Sequence, residues 1–218
     1  MITNIIIIIT CCISVMSFER DVRVPEPLRC ANLGDKLMFN PYLIFHHSQI
    51  WRLFTVTLVH IGWWHLTFNM WALSSFGHLV EDTFIAKYGD YGSLIYALFY
   101  ISAAAAAGLY DLVKYRNQPY YRAAGASGAV SAIALAAILF EPTIKLRIFF
   151  IPIPMYGFIF AILYLAFSAF MEHKGDSSIA HMAHFCGAVY GIIFPLLLDP
   201  SLWEKCVFEI GQIINSFF

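Results

Sequence analysis

The 218-residue chain is poor in charge: 12% of its residues are Asp, Glu, Lys or Arg, and they sum to a net charge of -1. That balance supplies no basic surface for nucleic acid, and no glycine-rich phosphate loop of the Walker or dinucleotide type appears. Cysteine is scarce too. Cys11, Cys12, Cys30, Cys186 and Cys206 make no CxxC pair and no zinc spacing, so no disulfide framework is implied. HExxH is absent and no carboxylate stands near the histidines as a ligand, so a metal site assembled from His181-x-x-His184 with His60 and His65 is a competing but weaker reading. The stretch 1–16 lacks the positively charged start and small-residue cleavage signal of a secretory peptide, and it reads as a retained membrane span.

Apolar residues are what the chain has in abundance. They make up 60% of it, with a mean hydropathy of +0.70, which implies an integral membrane protein. Runs close to the roughly 20 residues that cross a hydrocarbon core mark six helices, at 2–18, 62–79, 91–110, 127–140, 149–170 and 179–198. The expected fold is all-α, a compact bundle of six transmembrane helices embedded in the lipid bilayer. Glu81, Asp82, Lys87 and Asp90 mark the turn after the second helix, and Pro152 and Pro154 fall in the first turns of the fifth. In the long first loop, 37–45 is apolar enough to dip into the interface, and 201–218 reads as an interfacial tail.

Polar residues inside such a chain carry the functional signal. Ser127 lies in Gly125-Ala126-Ser127-Gly128, at the mouth of the fourth apolar run. Small residues there let helices pack closely, or they expose a nucleophile. The run 127–140 gives about 21 Å of helix at about 1.5 Å per residue, against a core of roughly 30 Å, so its Ser127 end should stop below the surface. The second, fourth and sixth helices of a six-helix serpentine run the same way. His65 and Asn69, Ser127, and His181 and His184 therefore share one membrane face and a comparable depth, lining a hydrated pocket.

A serine hydroxyl needs a base to take its proton, and histidine is the base available. His184, Gly187 and Gly191 fall at i, i+3 and i+7, which puts an imidazole and a glycine groove on one stripe; Ser127, Ser131 and Ala134 make a matching narrow face. Close packing of the two faces would bring Ser127 within reach of His184. His65 and Asn69 share a face at i, i+4. The Asn69 amide, a ring N–H of His65 or His60 and the Ser127 backbone N–H are the expected donors to a developing oxyanion. No acid lies at this depth in the even-numbered helices, so a Ser-His dyad is indicated and not a triad. Taken singly, His60, His78 and His181 also read as hydrogen-bonded buried side chains.

Together these motifs resemble the rhomboid intramembrane serine proteases. The resemblance rests on Trp51-Arg52 in the first loop, on His60-Ile61-Gly62-Trp63-Trp64-His65-Leu66-Thr67-Phe68-Asn69-Met70, on Gly125-Ala126-Ser127-Gly128, and on Ala183-His184-Phe185-Cys186-Gly187 followed by Gly191. It implies a first helix and long loop over 1–50, a catalytic core over 51–198 and a tail over 199–218. It also implies cleavage of transmembrane protein substrates near the membrane surface, without cofactor or metal. By position, Ser127 matches the nucleophile and His184 the general base. His65, Asn69 and the Ser127 amide match the oxyanion stabilisers, and His60 an additional histidine near the cavity, which Gly125 and Gly128 flank. Trp51-Arg52 matches the anchor of the first loop. The region 149–156 would lie at a lateral entry, and 171–178 would cap the site. The family form places the active site on the extracytoplasmic face, whereas the basic residues then divide as four inside and nine outside, against the positive-inside tendency. Two other classes compete: a non-catalytic relative that binds and escorts transmembrane segments, and a transporter, for which no inverted repeat speaks. Oligomeric state is not readable from the sequence.

Overall fold

The computed structural model describes residues 1–18, 33–148, 151–174 and 180–216. Helix α1 (Ile2–Phe18) states the environment of the whole molecule. Its buried residues are Thr3, Thr10, Ser14 and Ser17, while Ile5, Ile8, Ile9, Val15 and Met16 face outward. A helix on a water-soluble core shows the reverse order. Where lipid is the solvent, apolar side chains cost nothing outside and polar ones turn inward to find partners.

Short helices α2 (Leu33–Leu37), α3 (Pro41–His47) and α4 (Arg52–Thr55) form the described part of the first loop. Asn40 caps α3, its side chain accepting from the Leu43 N–H at 2.9 Å, with Pro41 in the first turn where no N–H is needed. The long helices are α5 (Trp63–Tyr88), α6 (Gly92–Lys114), α7 (Ser127–Phe140), α8 (Gly157–Lys174) and α9 (His181–Leu198). By length and composition, the stretch Trp63–Lys114, which holds α5 and α6, and the helix His181–Leu198 are apolar enough to cross a membrane. Ile2–Phe18, Ser127–Phe140 and Gly157–Glu172 are shorter apolar helices. At the centre stands α7, in which every residue from Gly128 to Phe140 is buried. Around it pack α5, α6, α8 and α9, with helix α10 (Ser201–Asn215) across its far end, where the Lys205 ammonium donates to the Phe140 carbonyl at 2.6 Å.

Two expectations are corrected. Helix α5 does not stop at residue 79 but runs on to Tyr88, so Glu81, Asp82 and Lys87 are helical. Glu81 is fully buried there because it caps α1 from across the chain: its carboxylate accepts the Ile2 N–H at 2.6 Å, the Thr3 N–H at 2.9 Å and the Thr3 hydroxyl at 2.8 Å. Hydropathy flagged the charge as a turn marker and could not see that the orphan amides of another helix neutralise its burial. The second correction concerns the start of the fifth helix. Two strands, β1 (Lys145–Ile148) and β2 (Ile151–Tyr156), pair antiparallel there, and α8 begins only at Gly157. Pro152 and Pro154 sit in a strand of a two-stranded sheet, which has a free edge for residues that lack an N–H. The all-α expectation thus holds for every long element but not for this pair of strands.

Replacing Glu81 by Leu should orphan the first amides of α1, each costing about 1–3 kcal/mol. Thermal unfolding in detergent should show a lowered midpoint for Glu81→Leu, with Glu81→Gln intermediate because an amide oxygen still accepts.

Candidate functional site

Two helices bring the candidate dyad together by touching backbone to backbone. A Cβ at Gly187 would overlap the Gly128 carbonyl oxygen, and one at Gly191 would overlap the carbonyl of Ala132. No residue but glycine allows α9 to lie this close to α7. At the N-terminal end of that seam, His184 Nε2 lies 2.7 Å from the Ser127 hydroxyl. Among the described residues no carboxylate is hydrogen-bonded to the His184 ring, whose Nε2 meets Ser127. Ser127 opens α7. The first intrahelical bond runs from the Val130 N–H to the Ala126 carbonyl, leaving the Ser127 amide among the unpaired donors of the helix start.

A cavity of about 590 Å³ fronts the pair, lined by Ser127, His184, His65 and Asn69 among others. The four residues read from the sequence as nucleophile, base and oxyanion donors thus border one space. Asn69 commits one amide hydrogen to the His65 carbonyl at 2.8 Å, which fixes the side chain along its own helix and leaves the second hydrogen. The His65 ring lies against Gly125: a Cβ there would meet the ring Cε1 at 2.5 Å, and the Gly125 φ of 131° is one that other residues rarely adopt. Gly125 therefore serves the site as a turn and as room for His65.

His60 lies behind the site as a hydrogen-bonded buried side chain. It is buried at 3% exposure and supports the site from behind, where it lines no part of the cavity described above. Its proton can be placed from its neighbours. The Ser14 hydroxyl donates its one hydrogen to the Leu58 carbonyl at 2.9 Å and so can only accept from His60 Nδ1, 3.0 Å away. His60 Nε2 is left bare and accepts the Ala126 N–H at 3.2 Å. Neither ring nitrogen of His60 is then free to donate into the cavity; the ring holds the Ala126 peptide, one residue before the candidate nucleophile. Ser14 went unnoticed in the sequence because a serine in an apolar run carries no motif.

The loop that delivers Ser127 is stitched to the first loop. Phe39 and Ala123 exchange backbone hydrogen bonds of 2.9 and 3.1 Å, Asn40 Nδ2 donates to the Pro119 carbonyl at 3.1 Å, and the Gly125 N–H donates to Val56 at 3.1 Å. Arg52 secures the other side of that seam, with Nη1 donating to the carbonyls of Asp35 at 2.8 Å and Met38 at 2.7 Å and Nε to Gln49 Oε1 at 2.6 Å. Burial lowers its pKa from the ordinary guanidinium value. Trp51 beside it has a half-exposed side chain, so the hold on the loop comes from Arg52. Two contacts had no sequence signal. The Ser131 hydroxyl donates to the Ser127 carbonyl at 2.7 Å and meets the Tyr164 hydroxyl of α8 at 2.5 Å. Tyr121 donates to Asp111 Oδ2 at 2.8 Å; burial first, and then the Asp111 carboxylate, raise its phenol above the ordinary tyrosine value, so it stays a donor. Residues 175–178 of the expected capping loop, and 149–150 of the expected entry, lie outside the described residues.

The model of the Rhomboid domain matches residues 47–200, which takes in α4 to α9 and with them Ser127, His184, His65, Asn69 and His60. The chain belongs to the rhomboid family. It is accordingly an integral membrane protein. Curated relatives include the Rhomboid protease GlpG of Haemophilus influenzae, 27% identical over 158 residues that cover 72% of this chain and 74% of that protein. Two others come from Arabidopsis thaliana: the mitochondrial RHOMBOID-like protein 12, 28% identical over 73% of this chain, and the chloroplastic Rhomboid-like protein 11, 28% identical over 72% of it. This rhomboid spans 51% and 55% of the length of those two.

Gly187→Ala in this rhomboid should push α9 off α7 and slow covalent capture of Ser127 by a fluorophosphonate by about a hundredfold or more, since a displacement near 1 Å has that cost. Ser14→Ala should slow the same reaction by about tenfold, the loss of an outer orienting partner, with the protein still folded by its circular dichroism.

Proposed function

We propose that the protein is an intramembrane serine endopeptidase that hydrolyses peptide bonds in or near transmembrane segments of other membrane proteins. The observation that carries this reading is the 2.7 Å contact between His184 Nε2 and the Ser127 hydroxyl inside a cavity. As Ser127 Oγ attacks the scissile carbonyl, His184 Nε2 takes its proton and later delivers it to the leaving amine. Negative charge on the carbonyl oxygen is met by the Ser127 N–H, at the positive end of α7, and by the free Asn69 amide hydrogen, with His65 as a further donor. A water then attacks the acyl-enzyme along the same path, again with His184 as base. No metal or cofactor enters this scheme.

Six membrane crossings are part of the proposal, with α1 and α5 to α9 as the spans and 37–45 and α10 at the interface. We assign the cavity mouth to the extracytoplasmic face, as in the family form. Backbone hydrolysis needs water, and the inward-turned polar groups around Ser127 support a hydrated cavity reached sideways from lipid.

Ser127→Ala and His184→Ala should each lower cleavage of a single-span model substrate in proteoliposomes by about 10⁴-fold or more, with unfolding midpoints unchanged. A fluorophosphonate should label the wild type and not Ser127→Ala. Cleavage that survives both substitutions would sink the dyad, and a wild type that binds such substrates without cutting or labelling would make it an escort of transmembrane segments.

A further inference from the structure

The cavity in front of the dyad extends past it to a polar far wall. Asp111 from the end of α6, Tyr115, Tyr121 and Arg122 from the following loop, and Glu172 from α8 all border it. Its charges are matched in pairs with one exception. Lys114 donates to Glu172 at 2.7 Å, and Arg122 donates to Asp35 at 2.9 Å. Asp111 is 4% exposed and accepts the Tyr121 hydroxyl on Oδ2, while its second oxygen takes no hydrogen bond from any described residue. Lys114, bonded to Glu172, acts on this carboxylate only across space, so a cation entering the cavity would add a direct partner.

The surroundings suit a cation. The rings of Tyr115 and Tyr121 stack with centroids 3.9 Å apart beside the carboxylate. Aromatic faces next to an anion attract ammonium and guanidinium groups. The chain's own Lys114 displays this chemistry, its ammonium 5.0 Å from the centre of the Tyr115 ring while bound to Glu172.

We propose that Asp111 is the centre of a cationic subsite, which takes a lysine or arginine side chain of the substrate segment lying beside Ser127. The inference rests on the peptidase reading for what occupies the cavity. The charged head pairs with the free oxygen of Asp111 against the Tyr115–Tyr121 stack, and the aliphatic stem leads back toward the dyad. A neutral side chain leaves Asp111 with only the through-space effect of Lys114, and an acidic one is repelled, so the selectivity works largely by rejection. Suitable substrates are plentiful, because lysine and arginine commonly flank membrane spans.

Binding can be read without turnover in the full-length Ser127→Ala protein, by fluorescence anisotropy in detergent. The probes are single-span peptides that differ at one flanking position, scanned along the flank as Lys, Gln or Glu. At one position the Lys peptide should bind about tenfold or more tighter than the Gln peptide, and the Glu peptide weakest. Adding Asp111→Asn should bring the Lys-to-Gln ratio to about one, since asparagine still accepts from Tyr121 but carries no charge; Asp111→Glu should keep the preference. Independently of any variant at 111, carbodiimide should couple the peptide lysine to the Asp111 carboxylate, as mapped by mass spectrometry. A ratio near one at every position, a preference that persists in Asp111→Asn, or coupling that never reaches Asp111 overturns the subsite. Failure of the peptidase reading shows separately, as uncut substrate and unlabelled Ser127 in the wild type.

Discussion

Everything in the candidate site depends on how closely α9 lies against α7. Gly187 faces the carbonyl of Gly128 and Gly191 that of Ala132, so the two helices meet without side chains between them. One added carbon at either glycine would overlap a carbonyl oxygen, and carbonyls in a helix cannot step aside. In lipid this approach gains dispersion contacts that no expulsion of water supplements, and glycine is the residue that maximises them. The same contact sets the distance between an imidazole on one helix and a hydroxyl on the other. The glycines that look like packing residues and the pair that looks like chemistry are two views of one interface.

The second constraint is that each polar group within the bundle must find a partner inside it. Three examples follow from one helix. Thr3 and the amides at the start of α1 are met by Glu81, and Ser14 bridges Leu58 and His60. Through His60 that bridge reaches the Ala126 amide, one residue before the candidate nucleophile. The helix farthest from the site in sequence therefore sets the tautomer of a histidine that holds the peptide entering it. The proton assignment leaves no freedom: the Ser14 hydroxyl has one hydrogen, and Leu58 takes it.

Much of this arrangement was legible in the sequence, for reasons that can be named. Hydropathy located each long helix because lipid demands apolar residues on whatever faces it, and the short run 127–140 coincides with α7. Helical periodicity put His184, Gly187 and Gly191 on one stripe and His65 with Asn69 on another. What escaped was of two kinds. Glu81 reads as the mark of a turn, since hydropathy counts a charge as exposed unless its partner is known, and its partner at Thr3 lies on another helix; nothing in the sequence singles out Asp111, whose partner Tyr121 lies in the following loop. Pro152 and Pro154 were assigned to a helix because an apolar run of that length suits one, yet they lie in a strand paired antiparallel with β1, where a missing N–H costs little at a free edge.

The placement of Ser127 also illustrates why a rhomboid needs more than its helices. A nucleophile at a helix start has no preceding turn to hold it, so the loop before it must be fixed by something else. Here the fixing runs through backbone: Arg52 grips the carbonyls of Asp35 and Met38, Phe39 next to them pairs with Ala123, and Gly125 donates to Val56. Each link joins peptide groups whose positions vary little with the side chains around them. Two residues beyond Gly125 stands Ser127. A side-chain scaffold would let the hydroxyl wander through rotamers of its supports; a scaffold of peptide hydrogen bonds anchored by one buried guanidinium restricts it to the short arc in which His184 can reach it. The buried charge of Arg52, costly by itself, is offset by three acceptors, and the order it imposes is transmitted along the chain to Gly125-Ala126-Ser127-Gly128.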